Sequence, residues 1–222
     1  MNSIDRLINF VPIKSQMEKP DKRTSILLAA QELFSEMGYE GTSTRQIAKE
    51  SGANMSMINY YFGSKEGVFL EIINERIKGF KAQLDSIHED RILPLEKLIK
   101  VIEGYTKRIL SDIPFHKMMH REISLAQRPE MCLKLKDAMS ENMQVIETII
   151  NNGIADGTFK PIDTRMLIAT IMGTITSVAT MPTKITHGSI LDITIPKDKE
   201  ILTDRLIEHL KDLVTTYLTP QK

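Results

Sequence analysis

The sequence predicts an all-α protein, and three observations carry that reading. Apolar residues recur three and four apart in one segment after another. Pro94, Pro114, Pro129, Pro161, Pro182 and Pro196 stand at or near the expected helix ends, where proline is tolerated. The one run that could pass for a strand, Ile193-Thr194-Ile195, has no second run with which to build a sheet.

Each element follows in chain order. Residues 1–18 read as a loosely ordered tail. From Asp21, the spacing of Ile26, Leu27, Ala30, Leu33, Phe34 and Met37 predicts a first helix, with Gly38 where a C-terminal cap belongs. Ser43 and Gln46 have the spacing of a capping box, Ile47 and Ala48 give that short helix an apolar side, and Gly52 ends it. Asn54 can cap a third helix whose apolar positions Ile58, Tyr61 and Phe62 sit three and four apart, with Gly63 at its end. Ser64 caps a long helix running through Phe69, Ile72, Ile73, Ile77, Phe80 and Leu84. Further helices are expected over 95–111, 115–127, 129–152, 164–181 and 198–218, with Asp163 as an N-cap and Asp198 near the start of the last. Residues 183–197 are expected as a loop.

Composition narrows the function classes. With 41% hydrophobic and 26% charged residues over 222 positions, the chain can bury a core and is not of disordered type. Lys+Arg and Asp+Glu both number 29, which argues against coating nucleic acid through bulk charge. A single cysteine, Cys132, excludes an intramolecular disulfide framework and is expected to have no redox role. Residues 1–18 carry Asp5 and Arg6 and no long apolar run, so the cytoplasm is the expected compartment. The greasiest stretch, 166–181, holds four threonines and a serine and falls short of the ~20 residues a membrane helix needs.

Helix, glycine turn and helix over residues 43–62 form the pattern of a helix-turn-helix, whose second helix enters the DNA major groove. Arg45, Lys49 and Lys65 against Glu50 leave residues 42–65 with a net charge of +2. Tyr60, Tyr61 and Phe62 are consecutive, and a tyrosine hydroxyl at a helix end can bond a phosphate oxygen while its ring packs on the scaffold. Lys19, Lys22 and Arg23 stand at the start of the first helix, where the helix dipole disfavours cations and phosphates would compensate.

Residues 20–70 resemble the N-terminal domain of TetR-family (tetracycline-repressor-like) transcriptional regulators. The resemblance rests on Arg23, Ile26, Leu27, Ala30, Leu33, Phe34, Gly38, Tyr39, Thr42-Ser43, Ile47-Ala48, Gly52, Tyr60-Tyr61-Phe62 and Ser64-Lys65-Glu66. It implies an N-terminal three-helix helix-turn-helix domain over 20–80, after a tail at 1–19. A larger helical domain over 81–222 would bind an effector and dimerise. It also implies that Thr44 and Arg45 meet DNA at the start of the first motif helix. Met55, Ser56, Asn59 and Tyr60 would form the exposed face of the recognition helix, and Tyr61 and Lys65 would contact phosphates. Many members carry tyrosine at the position of Asn59, and Met55 and Met57 are apolar for a groove-facing helix. They can meet thymine methyls, or Met57 can pack inward.

Eight of the 13 methionines lie between Met118 and Met181. Core packing accounts for them simply. The sharper reading is an apolar effector cavity lined by Tyr105, Met118, Met119, Met139, Met143 and Met172. Ala169, Gly173 and Ser177 make a small-residue ridge on the penultimate helix, and Leu202, Leu206, Leu210, Leu213 and Tyr217 an apolar stripe on the last. Those helices are either buried as a pair within one subunit or, as the resemblance implies, shared in a homodimer. The combined expectation is a ligand-responsive regulator, repressor in type, that binds an operator and a small, apolar effector without cofactor, metal or membrane. Two rivals remain: an all-α metal-dependent enzyme using His116 and His120, which are four apart on one helix, and a helical protein-interaction module. The enzyme lacks a full ligand set, and the module leaves Arg45, Lys65 and the tyrosines without a purpose.

Overall fold

The computed structural model describes residues 21–125, 129–188 and 191–220. The tail at 1–19 and the Cys132 side chain lie outside the described residues. The described residues form helices and no strand.

Side-chain caps set the N-terminal helices. Asp21 accepts the Thr24 backbone N–H at 2.7 Å and starts α1 (Lys22–Gly41). Gly38 breaks α1 internally with a φ of +74°, a conformation that suits a residue without a Cβ. The capping box predicted at Ser43 and Gln46 is present in both directions and opens α2 (Thr44–Glu50). The Asn54 side chain accepts from Met57 at 2.9 Å to open α3 (Met55–Phe62), and Ser64 accepts from Gly67 at 3.0 Å to open α4 (Lys65–Glu89). At Gly67 a Cβ would stand 1.9 Å from the Phe62 carbonyl oxygen, so only glycine lets α3 and α4 approach this closely.

Beyond α4 come α5 (Pro94–Ser111), α6 (Ile113–Leu125), α7 (Pro129–Ala155), α8 (Thr164–Thr180), α9 (Thr183–Thr186) and α10 (Pro196–Leu218). The expected loop over 183–197 therefore contains a one-turn helix, and α10 begins on the proline placed at its first turn. Ile193-Thr194-Ile195 is turned rather than extended: the Asp192 carboxylate accepts from the Thr194 N–H and hydroxyl at 2.9 and 2.7 Å, and the Ile195 N–H returns to the Asp192 carbonyl.

Two apolar clusters result. The N-terminal one centres on Ile26, Phe34, Ile47, Ile58 and Phe69, with the Phe34, Tyr39 and Phe69 rings 5.0–5.6 Å apart. Phe115 and Met118 of α6 and Leu135 of α7 complete it, so this core is not closed by residues 20–80 alone. The second cluster surrounds α5, which packs on α4, α7, α8 and α10. Leu98, Ile102, Ile146, Ile150 and Ile175 are its buried centre. The stripe residues Leu202, Leu206 and Leu210 are buried in this core within the subunit, whereas Tyr217 remains 45% exposed.

Candidate nucleic-acid interface

The motif is a polar surface mounted on a rigid apolar base. Ile47 and Ala48 of α2 and Ile58 of α3 face the core, and Met57 packs beside them. That inward packing leaves Met55 as the exposed methionine of α3. Ser56, Asn59, Tyr60 and Tyr61 share the exposed side of the same short helix. Tyr60 is 83% exposed, and its ring meets that of Tyr61 edge-on at 5.1 Å, which orients two phenols at the end of the helix. Arg45 and Lys49 project from α2 into solvent, and Thr44 is half-buried at its first turn. The eight residues expected to meet DNA thus lie along α2, α3 and the start of α4.

Lys65 differs from the others. Its ammonium donates to the carbonyls of Tyr39 at 2.9 Å and Thr42 at 3.0 Å and sits 4.2 Å from the Tyr39 ring centroid. Two of its three donors therefore tie α4 to the α1–α2 connection, and one remains for a phosphate. The cations at the start of α1 are also engaged. Lys22 donates to the Gly52 carbonyl at 2.9 Å, pinning the motif turn. Arg23 pairs with Glu71 and Glu75 of α4 and lies 5.5 Å from the Phe62 ring. The compensation expected from phosphates is thus supplied for Arg23 by two carboxylates that follow it by 48 and 52 residues.

Below the motif lies a polar junction for which the sequence carries no signal. Arg76 of α4 pairs with Asp112, between α5 and α6, and its guanidinium lies 4.1 Å from the Phe115 ring. Gln31 of α1 reaches the same carboxylate at 3.4 Å, and Arg108 of α5 donates to the Arg76 carbonyl. His116 is buried beside this junction, its Nε2 without a partner among the described residues. Burial, then the positive charge of His120 and Arg76, holds its pKa down at about 4. His120 is exposed, so the two histidines expected to share a face meet different surroundings. No group of three or more potential metal ligands forms among the described residues.

The six residues expected to line one effector cavity fall apart. Met118 and Met119 are carried by α6 into the N-terminal core, because α6 packs on α1. Tyr105, Met143 and Met172 pack on the second core, and Met139 is 44% exposed. The Tyr105 phenol is raised above its usual pKa by burial, against a hydrogen bond to Thr176. On α8, Met166, Ala169 and Gly173 are exposed. Among the described residues no helix is long and apolar enough to cross a membrane.

Comparison with known proteins agrees with this geometry. Residues 26–72 match the model of bacterial regulatory proteins of the tetR family, and residues 92–180 match that of a tetracyclin repressor-like C-terminal domain. The chain is 25% identical over 164 residues to the fatty acid metabolism regulator protein of Bacillus subtilis, covering 73% of this chain and 84% of that one. It is 30% identical over 147 residues to the transcriptional repressor NicS of Pseudomonas putida, covering 62% and 66% respectively. The solved structure of FadR from Bacillus subtilis in complex with stearoyl-CoA superimposes with a TM-score of 0.68 at 23% identity, over 84% of this chain and 96% of that one. The chain belongs to the tetR family of bacterial regulatory proteins, and it is a DNA-binding regulator of transcription.

Proposed function

We propose that this regulator is a repressor that works in the cytoplasm as a homodimer, presents α3 to successive major grooves of its operator and leaves when an apolar effector enters the C-terminal domain. The observation that carries the DNA reading is the outward side of α3. Met55, Ser56, Asn59, Tyr60 and Tyr61 are exposed together, beside Thr44 and Arg45 of α2 and the remaining donor of Lys65. Arg45 is placed to read a base edge or phosphate, and Lys65 and Tyr61 to hold the backbone. Dimerisation through α8 and α10 is favoured by the exposed Met166, Ala169 and Gly173, which offer a smooth, close-approach surface. Two recognition helices bind one duplex face when they lie about 34–36 Å apart. An effector that favours another spacing must weaken DNA binding, and DNA must weaken effector binding equally.

The effector class is suggested by the Bacillus subtilis relatives, one named for fatty acid metabolism and one solved with stearoyl-CoA. Tyr105, Met143 and Met172, which pack partly buried against the second core, would line such a ligand. The test is a mobility shift on the DNA upstream of the gene, with and without stearoyl-CoA. Wild-type protein should retard the fragment and release it when the thioester is added. Arg45→Ala should lose about 1–3 kcal/mol of specific affinity. Lys65→Ala should lower the salt slope by about 1 and, unlike Arg45→Ala, also lower the melting temperature, because two backbone carbonyls lose their donor. Failure of both substitutions to change DNA binding would sink the interface.

A further inference from the structure

A groove of about 630 Å³ opens where the two cores meet, between Ser35 of α1, the α5–α6 junction, α6 and the approach to α10. Its floor is apolar: Leu110, Ile113 and Met118 are buried there. Its rim carries Lys117 and Arg121 of α6 and Lys199 of α10, and no acidic residue lines it. In a chain of zero net charge, three cations with no lining acid are a local excess.

Other features of the sequence do not account for this excess. Lys117 and Arg121 are four apart on one helix, an arrangement of like charges that destabilises a helix unless an anion is present. Among the described residues, Lys117, Arg121 and the Lys199 ammonium make no ion pair or side-chain hydrogen bond. Two carboxylates that adjoin the groove residues in sequence are committed elsewhere. Asp112 pairs with Arg76 and caps the first turn of α6 through the Phe115 N–H. Asp198 accepts the Asp192 N–H at 2.9 Å, and Asp192 holds Thr194. The pattern is an apolar trough of small-molecule size with an unneutralised cationic rim.

We propose that this groove binds a phosphorylated amphiphile, with its apolar segment on Leu110, Ile113 and Met118 and its phosphate held by Lys117, Arg121 and Lys199. Three separate cations suit a dianionic head, which a single carboxylate would satisfy only in part. Because Ser35 belongs to the helix that opens the N-terminal core, while Lys199 belongs to the last helix, an occupant bridges both regions. This assignment deepens the reading of the chain as effector-responsive and rests on it for its regulatory meaning, not for the binding itself.

The test is calorimetric titration of the full chain with octyl phosphate, inorganic phosphate and octanol in parallel. Octyl phosphate should bind at least tenfold more tightly than either control. A Lys117→Gln/Arg121→Gln/Lys199→Gln variant with an unchanged melting curve should bind it no better than octanol, while Arg121→Lys keeps the affinity. Equal binding of octanol and octyl phosphate, or undiminished binding by the triple variant, overturns the site. Equal binding of inorganic phosphate removes the role of the floor and overturns it as an amphiphile site. A parallel mobility shift separates the two claims. Groove binding that leaves the operator complex intact rejects effector release for this ligand class and keeps the site, whereas absent calorimetric binding rejects the site whatever the DNA does.

Discussion

The N-terminal motif and the C-terminal bundle are both helical, yet they are held by different means. Each helix of the motif starts on a side chain that accepts a backbone N–H: Asp21, Ser43, Asn54 and Ser64. In the bundle the starts are mixed: Asp112 and Asp163 accept backbone N–H groups at the start of α6 and α8, whereas α5 and α10 start on Leu93 and Ile195, with a proline in the first turn and no side-chain cap. The buried polar atoms divide more sharply than the caps. Thr42, 2% exposed in the motif, donates its hydroxyl to the Gly38 carbonyl at 2.8 Å. The buried atoms without a partner among the described residues are His88 Nδ1, Thr106 Oγ1, His116 Nε2 and Asn142 Oδ1, all at or beyond the end of α4. A DNA reader needs a fixed surface, and local caps with satisfied polar groups supply it. An effector domain has to admit a ligand, and a core with polar atoms still unspent is suited to that.

The contrast can be broken experimentally. The largest effect is expected from Phe34→Ala, which empties the centre of the N-terminal core and should cost about 3–5 kcal/mol. Operator binding should vanish while calorimetry retains a separate transition for the bundle. A single transition at lower temperature would show that Phe115, Met118 and Leu135 weld the two regions into one cooperative unit.

The next effect is on pH dependence. His116 is held near pKa 4 in the folded chain against about 6.5 unfolded, so the unfolded state binds the proton first as pH falls. Its contribution is intact above about pH 6.5 and is lost progressively down to about pH 4, on the order of 3 kcal/mol. Denaturant melts of wild type and His116→Leu should diverge over that window. A difference that does not vary with pH would mean the imidazole is not kept neutral by burial.

The smallest effect is the sharpest comparison. Thr42→Val removes a buried hydroxyl that satisfies a carbonyl and should cost about 1–2 kcal/mol. Thr106→Val, the same change at a fully buried but unpartnered hydroxyl, should be neutral or stabilise by up to about 1 kcal/mol. Equal losses in urea titrations would erase the distinction between the two cores.

Legibility followed the range of the interaction. The caps at Ser43–Gln46, Asn54, Ser64 and Asp163 span only three residues, and all were readable as spacing. The outward side of α3 was readable because Ile58 marks the inward one. The fate of the methionines was not. Met118 and Met143 look alike in sequence, and only the packing of α6 on α1 sends the first to the N-terminal core. Leu202, Leu206 and Leu210 formed an apolar stripe that periodicity could assign equally to the subunit's own core or to a partner.

By itself, the sequence determined the all-α class, the order of every helix but the one-turn α9, and the helix-turn-helix, because caps, glycine turns and apolar periodicity act over one or two turns of chain. Tertiary structure alone decided which cations are available. Lys65 turns to the Tyr39 and Thr42 carbonyls and Arg23 to Glu71 and Glu75, while Lys117, Arg121 and Lys199 pair with no acid among the described residues. Charge acts through space, and partners dozens of residues apart leave no trace in local spacing.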